Sequence, residues 1–170
     1  MKTLYLVRHA KSSWEDSQLR DYDRPLNKRG KKDAPNMGRR LALMRVSVDL
    51  LLSSPANRAY TTATIIASAI NYDKKAIETD EAIYHASRTE LVEILKAQDQ
   101  KLNAIMSFGH NPGFTDLANY LTGADIDNIP TCGVAAIQLE ISAWKSLNRN
   151  TGKLLFFEYP KKEFEGKFLS

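Results

Sequence analysis

Apolar residues fall along the chain in short unbroken runs separated by longer amphipathic stretches. Leu4-Tyr5-Leu6-Val7 is the first run, and with no polar alternation it predicts a buried strand. Val48 to Leu52 and Asn103 to Phe108 read the same way, and a short segment around Ala76 to Glu78 suits a further strand. Between them lie helical patterns. Ala56 to Ile70 places Ala59, Ala63, Ile66, Ala67 and Ile70 on one face. Thr89 to Ala97 turns Leu91, Ile94 and Leu95 inward. Leu26 to Met44 also predicts a helix, but Pro35 sits awkwardly inside it. Either the helix kinks there, or it starts late with Asp33 as cap and Pro35 in the first turn. The turn Gly109-His110-Asn111-Pro112-Gly113 leads into a helix from about Phe114 to Leu121. Val134 to Ile141 and Leu154 to Tyr159 are closing strands, joined by a loop through Asn148 to Gly152.

Strands alternating with helices predict a three-layer α/β/α fold with a mostly parallel central sheet covered on both faces. The last two strands are expected to pair antiparallel, because their connection is too short for a helical crossover. The chain shows no repeat, low-complexity segment or linker, so one domain over residues 1–170 is expected. Trp144 and Phe156 are expected in its core.

Composition narrows the classes. An apolar fraction of 43% and a charged fraction of 26% are ordinary globular usage. Cys132 is the sole cysteine, which rules out an internal disulfide and suits a reducing, cytoplasmic setting. Few apolar positions precede Arg8, so no secretory leader is expected. No apolar run approaches the ~20 residues of a membrane helix. The net charge of +4 fits a solvated basic surface, with Lys28 to Arg40 as one helix face. Without aromatic interleaving, zinc spacing or an RNA-binding signature, neither nucleic acid nor a membrane is an expected partner.

The chemistry lies at the strand ends, where open α/β sheets bind ligands. Three polar clusters follow three buried runs: Arg8-His9, Ser53 to Arg58, and Gly109-His110. A neutral imidazole is a competent nucleophile, and two guanidinium forks match phosphate oxygens bidentately. Two guanidiniums plus one imidazolium would offset a phosphoryl dianion and stabilise its transfer. Arg58 also lies in the first turns of a helix, whose N-terminus favours an anion. On these residues alone either histidine could attack. Lys11 and Ser12 follow the first cluster and are candidate phosphate donors, and Trp14 and Tyr84 are candidates for the pocket rim. Ser54 suits either the pocket or a helix cap. Other phosphate chemistries fit poorly. Cys132 has Gln138 where a cysteine phosphatase needs arginine, Asp21-Tyr22-Asp23 follows no apolar strand, and there is no Walker-type glycine loop. Three histidines and one cysteine give no metal-ligand spacing.

Leu6-Val7-Arg8-His9-Ala10, Ser53-Ser54-Pro55-Ala56-Asn57-Arg58-Ala59 with Thr61-Thr62-Ala63, and Gly109-His110-Asn111 resemble, in order, the three motifs of the histidine phosphatase (phosphoglycerate mutase-like) superfamily. Arg24-Pro25-Leu26 with Arg29-Gly30 is similar to a motif of its short members, the SixA-type phosphohistidine phosphatases. The resemblance runs from Lys2 to roughly Leu139. It implies that His9 attacks phosphorus, that Arg8, Arg58 and His110 bind the phosphoryl oxygens, and that water then hydrolyses the phosphohistidine, with no metal or cofactor. Ala10 departs from the usual glycine. The acid that larger members place after the third strand falls on Glu81, with His85 and Asp23 as rivals, although Ala82-Ile83-Tyr84-His85 does not reproduce their local pattern. Phosphohistidine needs such an acid least, because its imidazole leaving group is readily protonated. The expected substrate is therefore phosphohistidine on a protein, handled by a monomer. A small phosphate ester is the enzymatic alternative, and a non-catalytic phosphate-binding module the alternative of another class.

Overall fold

The structure, a computed structural model, describes residues 1–166, so the last four positions of the expected domain lie outside the described residues. Six strands form one sheet: β1 Lys2–Arg8, β2 Leu50–Ser53, β3 Glu78–Thr79, β4 Ala104–Gly109, β5 Val134–Leu139 and β6 Gly152–Glu158. Their spatial order is β3-β2-β4-β1-β5-β6. The pairs β2/β3, β2/β4 and β1/β4 are parallel. The expected antiparallel pair β5/β6 is present, and β5 also runs antiparallel to β1.

Strand side chains alternate between two cores. Leu4, Leu6, Leu50, Leu52 and Ile105 face one, whereas Tyr5, Val7, Leu51, Met106 and Phe108 face the other. This explains the unbroken apolar runs, since both faces of these strands are covered. Helices α1 Lys28–Leu43 and α2 Asn57–Ala69 cover the second face through Met37, Leu41, Ala63 and Ile66. Helices α3 Arg88–Lys96 and α4 Gly113–Thr122 cover the first through Leu91, Leu95, Phe114, Leu117 and Leu121. Trp144 is fully buried in the first core, and Phe156 packs half-buried against the second. No helix among the described residues is long and apolar enough to cross a membrane.

Element bounds lie within a residue or two of those expected, with two corrections. Helix α1 does not start at Asp33. It begins at Lys28, where the Asn27 side chain accepts the Gly30 N–H at 2.8 Å, and it runs through Pro35. The early cap and the buried face of Ala34, Met37 and Leu41 outweigh the one backbone donor that Pro35 removes. Lys74–Ala76 is a 3-10 turn capped by Asp73, so the edge strand forms only at Glu78–Thr79.

Candidate active site

Strand register brings the three polar clusters together. Arg8 pairs with Gly109 across β1 and β4, and Ser53 pairs with Phe108 across β2 and β4. The segments just beyond these strand ends are therefore neighbours. The His9 N–H donates to the Gly109 carbonyl at 3.1 Å, and the Ser54 N–H to the Phe108 carbonyl at 2.9 Å. The Cys132 N–H donates at 3.0 Å to both the Arg8 and His9 carbonyls. The Ala10 N–H donates to Thr62 Oγ1 at 2.9 Å, while that hydroxyl donates to the Arg58 carbonyl at 2.7 Å. The first turns of α2 are thus tied to the loop after β1.

His9 Nδ1 lies 2.8 Å from the Ala10 carbonyl. A carbonyl only accepts, so Nδ1 carries the proton and Nε2 keeps its lone pair. Burial pushes the His9 pKa down to about 4; the Ala10 hydrogen bond opposes this, and the charges of Arg58, Arg8 and Arg24 add to the fall. His9 is therefore neutral near pH 7. The His110 ring centroid is 5.3 Å from that of His9, and its Nε2 is 2.8 Å from Ser54 Oγ. Burial, then the nearby His9 and Arg58, lower its pKa to about 3. The expected imidazolium is thus absent in the free protein, and the positive charge of the site comes from guanidiniums. Ser54 touches His110, and the same hydroxyl accepts the Ala56 N–H at 3.2 Å; Ala56 itself is the N-cap of α2, so Ser54 is not the helix cap.

The arginines are fixed by acceptors from other parts of the chain. Arg8 Nη1 donates to the Ile129 carbonyl at 2.9 Å. Arg58 donates to the Asp21 carbonyl at 2.7 Å and to Asp21 Oδ2 at 2.9 Å. Arg24, only 6% exposed, donates to the Ser13 carbonyl, to Asp21 Oδ1 and to Ser12 Oγ. Asp21 also accepts the Tyr84 hydroxyl, whose ring meets His110 edge-on at 5.4 Å. Partial burial pushes the Asp21 carboxyl upward. Hydrogen bonds from Tyr84, Arg24 and Arg58 outweigh that and hold it well below the usual carboxylate range. Sequence patterning alone does not mark Asp21 and Arg24 as site residues. The signal that points to them is the Arg24-Pro25-Leu26 motif, with Asp21 three positions ahead on the same turn.

A cavity of about 180 Å³ opens among these groups. Arg8, His9, Arg24 and Arg58 line it with Ser12 and Thr131, and Lys11 and Trp14 stand at the exposed end. His110 lies outside this lining, beside His9. Glu81 is not brought to the cavity; it is exposed and accepts the Tyr22 hydroxyl at 3.0 Å. Asp23 pairs instead with Arg20 at 2.8 Å. His85 stacks on Tyr84 at 3.9 Å, with its ring 6.4 Å from that of His110.

Among the described residues, three buried side-chain polar atoms lack a hydrogen-bond partner, and two of them are Arg8 Nε and His110 Nδ1. Such atoms are rare in folded proteins because leaving them unpaired is costly. A neutral imidazole lone pair set beside unpaired buried polar atoms and guanidiniums can attack an electrophilic centre that carries anionic oxygens.

Comparison with known proteins agrees with this chemistry. Residues 4–86 match the family model of the histidine phosphatase superfamily (branch 1). An uncharacterised chloroplastic protein of Arabidopsis thaliana is 32% identical over 152 residues, spanning 85% of this chain and 69% of that protein. Phosphoserine phosphatase 1 of Hydrogenobacter thermophilus is 37% identical over 100 residues, spanning 54% of this chain and 46% of that protein. The crystal structure of SixA from Agrobacterium tumefaciens, assigned by inference as a phosphohistidine phosphatase, superposes with a TM-score of 0.79 at 28% identity. That match covers 94% of this chain and 98% of the other. With motif order, sequence and fold in agreement, the chain belongs to the histidine phosphatase superfamily, has the SixA-type architecture, and is a phosphatase.

Proposed function

We propose that the protein hydrolyses phosphohistidine on a partner protein through a phosphorylated His9. His9 Nε2 attacks phosphorus, the bond from phosphorus to the substrate imidazole breaks, and the freed imidazole takes a proton from solvent. Water then attacks phospho-His9, giving inorganic phosphate and free His9. Arg8 and Arg58 hold the phosphoryl oxygens, and the His110 Nδ1–H donates to one of them while its Nε2 accepts the Ser54 hydroxyl. Lys11 steadies an oxygen from the mouth. Ser12 acts through Arg24, because its hydroxyl accepts from that guanidinium.

The observation that carries this reading is the pair of unsatisfied buried atoms, Arg8 Nε and His110 Nδ1, in the cluster that holds the free His9 lone pair. The substrate class is supported by where the carboxyl groups lie: Glu81 takes the Tyr22 hydroxyl, Asp23 pairs with Arg20, and Asp21 is held ionised by Tyr84, Arg24 and Arg58. An alkoxide leaving group needs a general acid, whereas an imidazole needs one far less. The SixA-type architecture agrees. The exposed mouth suits a phosphate presented on a protein surface to a monomer, and the free thiol of Cys132 suits a reducing, cytoplasmic setting.

The likeness to phosphoserine phosphatase 1 favours a second reading, a small phosphomonoester substrate. Assaying a phosphohistidine protein beside phosphoserine and sugar phosphates separates the two. Faster turnover of the small esters would displace the first reading. An acid-labile phosphoenzyme, trapped in the wild type and lost in His9→Ala, is expected in either case; full turnover by His9→Ala would end the nucleophile assignment. No turnover on any substrate would leave a phosphate-binding module.

A further inference from the structure

Trp14 is 74% exposed, more than any other large apolar side chain among the described residues, although it lines the catalytic cavity. Surface tryptophans are hydrophobically unfavourable, and this one is also held still. The Arg24 guanidinium lies 3.2 Å from the centre of its ring. That guanidinium is buried and pinned by the Ser13 carbonyl, Asp21 and Ser12. The loop beneath is cross-tied too. The Ser13 N–H donates to the Pro25 carbonyl at 2.8 Å and the Asn27 N–H to the Lys11 carbonyl at 2.9 Å. One indole face is therefore covered by a fixed cation, and the remainder is open to solvent.

The position of the ring gives this arrangement a use. Arg8, His9 and Arg58 form the buried end of the cavity, and Lys11 and Trp14 the exposed end. In-line displacement sends the leaving group away from the attacking nitrogen. A phosphoryl group against His9 Nε2 then directs whatever it is attached to past Trp14. We propose that Trp14, stacked on Arg24, is the binding platform for the leaving group and selects planar rings, such as the imidazole of phosphohistidine, over alkyl groups. Arg24 is a positioning residue in this scheme. The proposal rests on His9 as the attacking group. It adds a reason why a ring on phosphorus is preferred, since aromatic stacking on a preorganised face costs little ordering.

The test measures kcat/KM of wild type, Trp14→Ala and Trp14→Phe on a phosphohistidine peptide, phenyl phosphate and glycerol phosphate. Trp14→Ala is expected to lose about tenfold on both ring substrates, mainly through KM, and less than about twofold on glycerol phosphate. Trp14→Phe is expected to recover most of the loss. Binding of phenylphosphonate against methylphosphonate gives the same ratio without turnover. It also gives a fluorescence signal, because Trp144 is buried with its indole N–H on the Leu102 carbonyl and leaves Trp14 as the exposed emitter. Equal losses on ring and alkyl ligands, or none on any, would overturn the platform. If the wild type ignores phosphohistidine while Trp14→Ala still loses more on phenyl than on alkyl ligands, the substrate reading falls and the platform stands; if Trp14→Ala keeps the wild-type preference for phenyl over alkyl ligands, the platform falls.

Discussion

Acidifying the free protein probes the site without a substrate whose own phosphate titrates. The native His9 pKa is about 4 because burial disfavours the imidazolium and three guanidiniums repel it. An unfolded histidine titrates near ~6.5. Between these values the unfolded chain binds a proton that native His9 does not. Stability from the neutral imidazole is therefore complete above pH ~6.5 and is lost as pH falls toward about 4. By pH 5 the loss from His9 is on the order of 2 kcal/mol, with about nine-tenths of native His9 still neutral. His110, at about 3, adds a loss of similar size with the same sign. Imidazole proton shifts followed by NMR, assigned with His9→Asn and His110→Asn, read the titrations directly. Urea unfolding at pH 7 and pH 5 reads the energy. The acid loss in His9→Asn is expected to be smaller than in wild type by about 2 kcal/mol. A His9 resonance titrating above pH ~6 in the free protein, or an unchanged acid loss in His9→Asn, would refute the burial-and-charge account.

Three further outcomes follow from the geometry. Arg58→Lys keeps the charge but loses the planar fork, so kcat/KM is expected to fall about 10²–10³-fold in a steady-state assay while far-UV circular dichroism stays unchanged. Asp21→Asn weakens the shared anchor of Arg24 and Arg58; a drop of about tenfold in kcat/KM and of about 1 kcal/mol in urea stability is expected. Unchanged kinetics would show that Arg58 holds its place without the carboxylate. In Gly30→Ala the new Cβ overlaps the Lys11 carbonyl oxygen, so α1 and the loop after β1 must separate. A loss of about 1–3 kcal/mol in urea unfolding, with reduced activity, is expected.

What the sequence disclosed follows from how local each feature is. The runs around Leu6, Leu51 and Met106 are readable because strands covered on both faces need apolar residues at every position. The polar residues that end these runs are readable as a site because parallel strands deliver their carboxyl ends to one edge. Asp21 is not readable in this way. Its partners Arg58 and Tyr84 lie 37 and 63 positions away, and Asp21-Tyr22-Asp23 by itself resembles an acidic surface turn. Protonation escaped for a related reason. An imidazolium at His110 is reasonable for an exposed ring, but three-dimensional packing buries that ring among His9 and Arg58. In α1, Pro35 points to Asp33 as the cap, whereas the operative cap is Asn27, whose role depends on docking against the loop after β1.

The antiparallel entry of β5 beside β1 has a consequence for how such a site can diversify. Parallel strands reach the catalytic edge with their last residues, so their contributions follow them in sequence. β5 arrives there with its first residue, Val134, opposite Val7. The segment before it therefore forms one wall: the Ile129 carbonyl holds Arg8, Thr131 lines the cavity, and the Cys132 N–H clasps the end of β1. That wall is the connection from α4, free of strand pairing between Gly123 and Gly133. Lengthening or shortening it ahead of Ile129 reshapes the entrance without shifting a single pair in the sheet. The nucleophile and the boundary that selects among substrates can thus change independently.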